Sequence, residues 1–169
     1  MDTEEQFIPN RGFTSEKARE VLGYVLVFLI TFFVLQLFIE FANIPSSSME
    51  PTLMKGNKYL FEQVSYIFTD PKCGDIIIFD SEGVVYAKRI IGTPGDVIDF
   101  ADGKVFINGQ ELEEPYAYGE TYTYYEDHFE VPEGMYFFLG DNRENSNDSR
   151  FWPNPYITKA QILGRVLKF

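Results

Sequence analysis

The longest apolar run of the chain, VLGYVLVFLITFFVLQLFI, occupies residues 21–39 and carries no charged side chain. As a helix it would be about 28 Å long, which is enough to cross the hydrocarbon core of a bilayer. A cleavable leader has a shorter apolar stretch and then small residues at a cleavage site, whereas the residues EFANI follow here. A buried soluble helix usually shows a polar face, and only Thr31 and Gln36 interrupt this run. We therefore predict an uncleaved transmembrane helix.

The charges on either side of this run predict its orientation. Residues 1–20 form a polar tail with three Lys or Arg side chains, whereas Lys55 and Lys58 follow the run at a greater distance. Basic residues near a membrane span favour the cytoplasmic side. We expect a single-pass protein of the cell membrane, with residues 1–20 in the cytoplasm and residues 40–169 outside it.

Beyond residue 40 the apolar residues occur in short β-type runs separated by Gly, Pro and Asn. The pair Asn108-Gly109 between two of these runs is typical of a tight β-hairpin. A short helical turn is expected at residues 158–161. Frequent short strands with such punctuation predict a mostly β domain. The predicted strands are residues 58–64, 75–79, 84–91, 96–100, 104–107, 110–112, 136–139 and 162–169.

Composition and charge narrow the classes of function. The chain is 45% hydrophobic and 17% aromatic, which supports a packed core and argues against disorder. Its net charge of -12 makes nucleic acid an unfavourable partner. Cys73 and His128 are its one cysteine and its one histidine. An intrachain disulfide and a His/Cys metal cluster are therefore not possible, a Ser-His-Asp triad would have to use His128, and we expect no metal and no cofactor.

Residues 111–133 combine many acidic side chains with tyrosines, and no Lys or Arg occurs in residues 105–142. A site for a metal or a cationic ligand is one interpretation of this segment. A solvated surface insertion supported by aromatic side chains is favoured, because the acids lack the spacing of metal ligands. The pattern assigns no role to the segment.

Residues 44–53, IPSSSMEPTL, follow the apolar run closely, and we call them the Ser-Pro segment. Proline restricts its own backbone and that of the residue before it. A serine hydroxyl on such backbone can be held at one angle, as nucleophilic catalysis requires. Taken alone, the segment is more typical of a Ser-rich linker that leaves a membrane helix.

A serine nucleophile needs a base, and Lys88 is a candidate because it lies within an apolar strand pattern. Strand alternation places Lys88 and Arg89 on opposite faces, so one of the two can point inward. A lysine in apolar surroundings has a lowered pKa and can act as a neutral base. The pattern alone favours a solvent-facing Lys88 and leaves the inward orientation open.

Residues 140–150, GDNRENSNDSR, form a third notable stretch, which we call the polar loop. It follows a buried strand and is dense in hydrogen-bonding groups. Asx turns and an Asp–Arg pair can order such a loop internally. A loop of this kind at a strand end is well suited to hold one hydroxyl against a buried amine.

Together these three stretches resemble the type I signal peptidases of bacteria. The match extends over almost all of residues 21–169, and the three motifs occur in the family's order behind an apolar run. SSSMEPTL at residues 46–53 is similar to the family's Ser-x-Ser-Met-x-Pro-Thr-Leu motif, YAKRIIGTPGD at residues 86–96 to its Lys-Arg…Gly-x-Pro-Gly-Asp motif, and GDNRENSNDSR to its Gly-Asp-Asn-x-x-x-Ser-x-Asp-Ser-Arg motif.

The resemblance implies a membrane-bound serine endopeptidase that removes signal peptides from exported preproteins. It implies Ser48 as the nucleophile and Lys88 as the general base of a Ser-Lys dyad. Ser46 would join the Ser48 backbone N–H in the oxyanion hole. The supporting residues would be Ser146, which orients the Lys88 amine, and the structural ion pair of Asp148 with Arg150.

The resemblance also implies an antiparallel β catalytic domain over residues 40–169, with a small β insertion at roughly residues 103–132. We expect a monomer that binds preproteins with small residues before the cut. The substrate would bind as an added strand beside residues 84–88. Its pockets would be lined by Ile44 and by the strands at residues 75–79 and 84–91.

Two other functions fit parts of the pattern. Self-cleaving repressors also pair Ser-Met with a Lys-Arg strand, but they carry a DNA-binding helical domain. A membrane-tethered β module without catalysis is the second alternative. The presence of Ser48, Lys88 and Ser146 together argues against it, because a site that has lost its activity has no reason to keep all three.

Overall fold

The computed structural model of the chain describes residues 15–167 apart from Leu37, Glu82 and Tyr125. The chain divides into two compact units, Met1–Leu37 and Phe38–Phe169. Helix α1 (Ser15–Gln36) belongs to the first unit, and the short helix α2 (Ser65–Phe68) belongs to the second. Strands β1 to β11 of the second unit are, in chain order, Ile39–Asn43, Lys58–Glu62, Ile76–Ser81, Val84–Gly92, Val97–Ala101, Lys104–Ile107, Gln110–Glu111, His128–Glu130, Met135–Leu139, Tyr156–Thr158 and Ile162–Val166.

Helix α1 corresponds to the predicted apolar helix, but it ends at Gln36 and not at residue 39. Ile39 instead opens β1, because residues 39–43 find a strand partner in β2, where Ile39 pairs with Glu62. Along α1, apolar side chains such as Leu22 and Phe28 are exposed. Within the described residues, no helix is long and apolar enough to cross a membrane. The transmembrane assignment stays a prediction, and residues 1–14 of the predicted tail lie outside the described residues.

The strands form a mostly antiparallel β domain, as the sequence predicts. In the described residues, the larger sheet has the order β1-β2-β11-β3-β4-β9-β10. Strand β4 lies inside this sheet and pairs with β3 over residues 84–89. Strand β9 pairs with β4 only at Arg89, Ile90 and Gly92. One edge of β4 is therefore without a strand partner over residues 84–88 in the described part of the chain.

The second sheet has the order β7-β6-β5-β8 in the described residues. The Asn108-Gly109 turn joins β6 to β7 with both residues at positive φ, as a two-residue hairpin requires. The insertion was predicted from residue 103, whereas its sheet begins with β5 at Val97. Gly92 at the end of β4 lies against β5, since a Cβ there would meet the side chain of Ile98 at 2.5 Å. The two sheets are therefore in contact where β4 ends.

Three apolar clusters hold these layers together. One lies between the two sheets and includes Ile91, Ile98 and Phe137. A second, which includes Phe79 and Phe138, lies on the other face of the larger sheet, where Trp152 packs against it. The third cluster places the Ser-Pro segment on the larger sheet through the buried side chains of Ile44, Met49, Leu53, Phe61, Ile76, Ile78 and Val166.

Met49 is fully buried in the third cluster. We expect Met49→Ala to lower the free energy of unfolding by about 2–5 kcal/mol, because a buried Met leaves a cavity when it is truncated. Met54→Ala is the matched control, since Met54 is exposed. Equilibrium denaturation of both variants checks this expectation. Equal stability losses in the two variants would show that Met49 does not anchor the segment.

Candidate active site

The Ser-Pro segment is held at both ends. The Ile44 N–H donates to the Asn57 carbonyl at 3.0 Å, and the Gly56 N–H donates to the Ile44 carbonyl at 2.8 Å. Further along, the Leu53 N–H donates to the Met49 carbonyl at 2.8 Å. The segment is therefore a built loop anchored in the core, and the interpretation of it as a plain linker is wrong.

Ser48 lies between these anchors with its side chain largely buried. Its Oγ is 3.1 Å from the Oγ of Ser46, which is exposed. Asn142 of the polar loop holds the backbone on both sides of the nucleophile candidate. Its N–H donates to the Ser48 carbonyl at 3.0 Å, and its Nδ2 donates to the Ser47 carbonyl at 3.2 Å. The position of Ser48 is thus set by the polar loop as well as by the core.

Lys88 is buried and only 3% exposed, so the solvent-facing orientation is wrong. Cross-strand pairing with Ile77 of β3 places it on an apolar face of the larger sheet. Its Nζ donates to the Oγ of Ser146 at 2.9 Å. Burial lowers the pKa of the Lys88 amine from 10.5 to about 8, against the opposing attraction of Asp148. A substantial fraction of this amine is therefore neutral near pH 8.

Arg89 is buried as well, on the opposite face of β4. Its Nε and Nη2 donate to the two carboxylate oxygens of Asp141 at 2.8 and 2.5 Å. Thr52 of the Ser-Pro segment donates its hydroxyl to the same carboxylate at 2.5 Å. Asp141 thereby connects the Ser-Pro segment, β4 and the polar loop. A buried arginine requires a partner, but the sequence alone left open whether Lys88 or Arg89 points inward, so it did not indicate this role of Asp141.

The polar loop presents Ser146 to Lys88. Asp148 accepts from the Gly140 N–H at 2.9 Å and forms a buried ion pair with Arg150. A Cβ on Gly140 would lie 2.1 Å from the Oγ of Ser146 and 2.5 Å from the carbonyl oxygen of Ser48. A side chain at position 140 would therefore displace one of the two serines. The loop thus contacts Lys88 through Ser146 and the Ser48 backbone through Asn142, and it contains the predicted pair of Asp148 and Arg150.

A cleft of about 260 Å³ opens over these groups. Residues 85–88 of β4 line it beside the strand's unpaired edge, and Asn145 and Asn147 of the polar loop line it as well. Of the residues predicted to line the substrate pockets, Ile44 and β4 line this cleft, whereas residues 75–79 do not. Ile76 and Ile78 lie beneath the site in the apolar cluster with Ile44. The remaining side chains that line the cleft are Pro45, Ser46, Ser48, Met49, Val85, Tyr86, Ala87 and Lys88.

His128 belongs to another part of the fold. It lies on β8 in the second sheet, exposed, with its Nδ1 2.6 Å from Oδ1 of Asp99. That contact raises the pKa of the imidazole. Within the described residues, no group of three His, Cys, Asp or Glu side chains is placed to hold a metal ion.

Two neighbouring hydroxyls and a buried amine that open onto a cleft are the components of a serine hydrolase whose base is a lysine in place of a histidine. Comparison with known proteins agrees with this class. The chain belongs to the signal peptidase family, peptidase S26, whose family model matches residues 18–169.

Individual relatives are similar over most of this chain. A probable signal peptidase I-2 of Synechocystis is 40% identical over 136 residues, which cover 75% of this chain and 61% of that protein. A probable signal peptidase I-1 of the same organism is 38% identical over 157 residues, which cover 87% and 76%. This chain therefore spans less than two thirds of the first relative's length. A crystal structure of a signal peptidase I from Enterococcus faecalis V583 aligns with a TM-score of 0.49 at 37% identity, over 59% of this chain and 98% of that chain.

Proposed function

We propose that the chain is a membrane-bound serine endopeptidase that removes signal peptides from exported preproteins. The observation that carries this proposal is the buried Lys88 amine, hydrogen-bonded to Ser146 in the cleft that also contains Ser48. Membership of the signal peptidase family, and relatives named as signal peptidases, support the same substrate class.

In the proposed mechanism, the Ser48 hydroxyl attacks the scissile carbonyl while the neutral Lys88 amine takes its proton. The tetrahedral intermediate collapses to an ester on Ser48, and the ammonium of Lys88 protonates the departing amine. A water molecule then attacks the ester, again with Lys88 as the base, and releases the new carboxylate. The hydrogen bond to Ser146 keeps the Lys88 amine in one orientation through both steps.

Ser46 is proposed as a donor to the oxyanion. Its Oγ lies 3.1 Å from the Oγ of Ser48, so it borders the point at which the substrate carbonyl must arrive. The backbone N–H of Ser48 would be the second donor, as in other acyl-transfer sites. Neither group has to move far when charge develops on the carbonyl oxygen.

The substrate is proposed to bind as an extended strand along the unpaired edge of β4. Backbone hydrogen bonds to residues 84–88 would supply affinity, and alternate side chains would point into the cleft. The apolar lining by Ile44, Met49 and Ala87 and the small volume of the cleft favour small side chains before the cut. Asn145 and Asn147 face this path with polar amides.

The apolar run at residues 21–39 supports a single membrane anchor with the N-terminus in the cytoplasm and the catalytic domain outside it. We propose a monomer for which the lipid bilayer is a partner and nucleic acid is not. Two alternatives differ from this proposal in their substrate. In self-cleavage of the repressor type, a segment of the same chain, and not a preprotein, would have to occupy the cleft. A non-catalytic module would leave a preprotein intact.

Ser48→Ala and Lys88→Ala should each lower kcat/KM on a quenched peptide with an Ala-x-Ala site by on the order of 10³-fold or more. In the wild type, kcat/KM should rise about tenfold per pH unit up to a pKa of about 8 and then level off, because only neutral Lys88 accepts the proton. Lys55→Ala, which removes an exposed lysine, is the control. Substantial activity in Lys88→Ala, or a wild type that does not cleave a preprotein, would refute the proposal.

Ser46→Ala should lower kcat by roughly 10²–10³-fold, as the loss of one oxyanion donor does in other enzymes. KM should change little, because the donor acts mainly in the transition state. Ser47→Ala is the matched control within the same segment. Steady-state kinetics at pH 9 separate the two constants, and a kcat loss of less than a few-fold would leave Ser46 without this role.

A further inference from the structure

Part of the acidic, tyrosine-rich segment contacts the polar loop through several hydrogen bonds. We call residues 114–122 the strap. At its centre, the Tyr118 N–H donates to the Asp141 carbonyl at 2.7 Å, and the Arg143 N–H donates to the Tyr118 carbonyl at 2.8 Å. These bonds form a parallel β-bridge between Tyr118 and Asn142. The strap is thus joined by backbone to the residues that hold Ser48 and Arg89.

Residues of the strap before and after Tyr118 make further contacts with the site. Tyr116 lies flat against Arg89, with 3.7 Å between its ring centroid and the guanidinium carbon. The Tyr122 carbonyl accepts from Nη1 of Arg150 at 3.0 Å. At Gly119 the strap and the loop are so close that a Cβ would meet the Cγ of Glu144 at 2.9 Å. Segments 20 or more residues apart are therefore packed as one unit.

Arg143 is the centre of the polar contacts between the strap and the loop, and its side chain is completely buried. Its guanidinium forms a two-bond ion pair with the Glu114 carboxylate, one arm of which measures 2.9 Å. Nη1 also donates to the Thr121 hydroxyl at 2.8 Å. On the loop side, its Nε donates to the Gly140 carbonyl at 3.0 Å.

The backbone of Gly140 lies close to both Ser146 and the Ser48 carbonyl, with no room for a Cβ between them. A shift of Arg143 would therefore move the backbone against which Ser146 is packed. Because Ser146 is the hydrogen-bond partner of the Lys88 amine, four successive contacts connect Glu114 to the candidate base through Arg143, Gly140 and Ser146.

We propose that the strap is a positioning element for catalysis, in which Glu114 acts through Arg143 to hold Ser146 against Lys88. This inference rests on the proposed function and gives a role to the acidic segment. Glu114 touches neither substrate nor nucleophile, so it is a positioning residue. It should influence the orientation and hydration of the base more than the binding of substrate.

The test compares Glu114→Gln with Glu113→Gln in the full-length chain in detergent. Both variants remove one negative charge, but Glu113 is exposed whereas Glu114 is paired with Arg143. Glu114→Gln should lower kcat on the quenched peptide by roughly 10- to 10²-fold with KM within about twofold, because a small displacement of a catalytic group is enough for such a loss. The acid limb of the kcat/KM profile should move to higher pH, since water that enters beside Lys88 favours its charged form.

Thr121→Val is the second variant, because it removes a single acceptor from Arg143 without changing size or charge. It should shift kcat and the acid limb in the same direction by smaller amounts. Thermal unfolding is measured for every variant, and Thr121→Val decides the question if Glu114→Gln does not fold.

The inference would be overturned if folded Glu114→Gln kept the wild-type kcat and its kcat/KM profile showed no shift of the acid limb. If Glu114→Gln does not fold, the same result in Thr121→Val would overturn it. So would a lowered melting temperature with an unchanged pH profile, which is the result of a merely structural contact. A wild type that does not cleave the peptide refutes the proposed function. If the wild type cleaves the peptide but Glu114→Gln and Glu113→Gln behave alike, only the positioning role is refuted.

Discussion

The arrangement of the site depends on one buried carboxylate, that of Asp141. It accepts from Thr52 and from Arg89, and it is itself part of the polar loop. The Ser-Pro segment, strand β4 and the polar loop therefore meet at a single side chain. Without Asp141, the buried guanidinium of Arg89 would be an uncompensated charge, a situation that destabilises proteins by about 3–5 kcal/mol.

The requirement that a buried charge be paired also explains why the arginines of the site differ from its lysine. Arg89, Arg143 and Arg150 are each paired with a carboxylate: Asp141, Glu114 and Asp148. In the described part of the chain, no carboxylate lies within ion-pair distance of Lys88, whose amine contacts the hydroxyl of Ser146. The attraction of Asp148 opposes the effect of desolvation only in part, so burial lowers the pKa of the Lys88 amine. Buried ion pairs add little net stability, so their value here lies in the geometry that they select around a neutral base.

The residues of the site were assigned through the family resemblance of three motifs, because the patterns alone favoured a linker for the Ser-Pro segment and a solvent-facing Lys88. Local patterns were sufficient to predict most of the β strands. These patterns were insufficient where pairing between strands decides the structure. The first residue of β1 was assigned to the apolar helix. Strands β8 and β10 have only three residues each, too few to show an alternation of apolar and polar positions. Periodicity also could not decide whether Lys88 faces inward, since that depends on the loop that covers it. Asp141, Asn142 and the strap contribute through contacts between residues distant in sequence, and no spacing along the chain records such contacts.

The central claim is that Lys88 is a buried amine that is neutral at moderately alkaline pH. The most direct measurement is an NMR titration of the chain labelled with ¹³C at the lysine side chains, with the Lys88 signal assigned by its loss in Lys88→Arg. The account predicts a pKa of about 8 for Lys88, well below the ordinary lysine value of 10.5. A Lys88 signal that titrates at the ordinary lysine value would contradict the account.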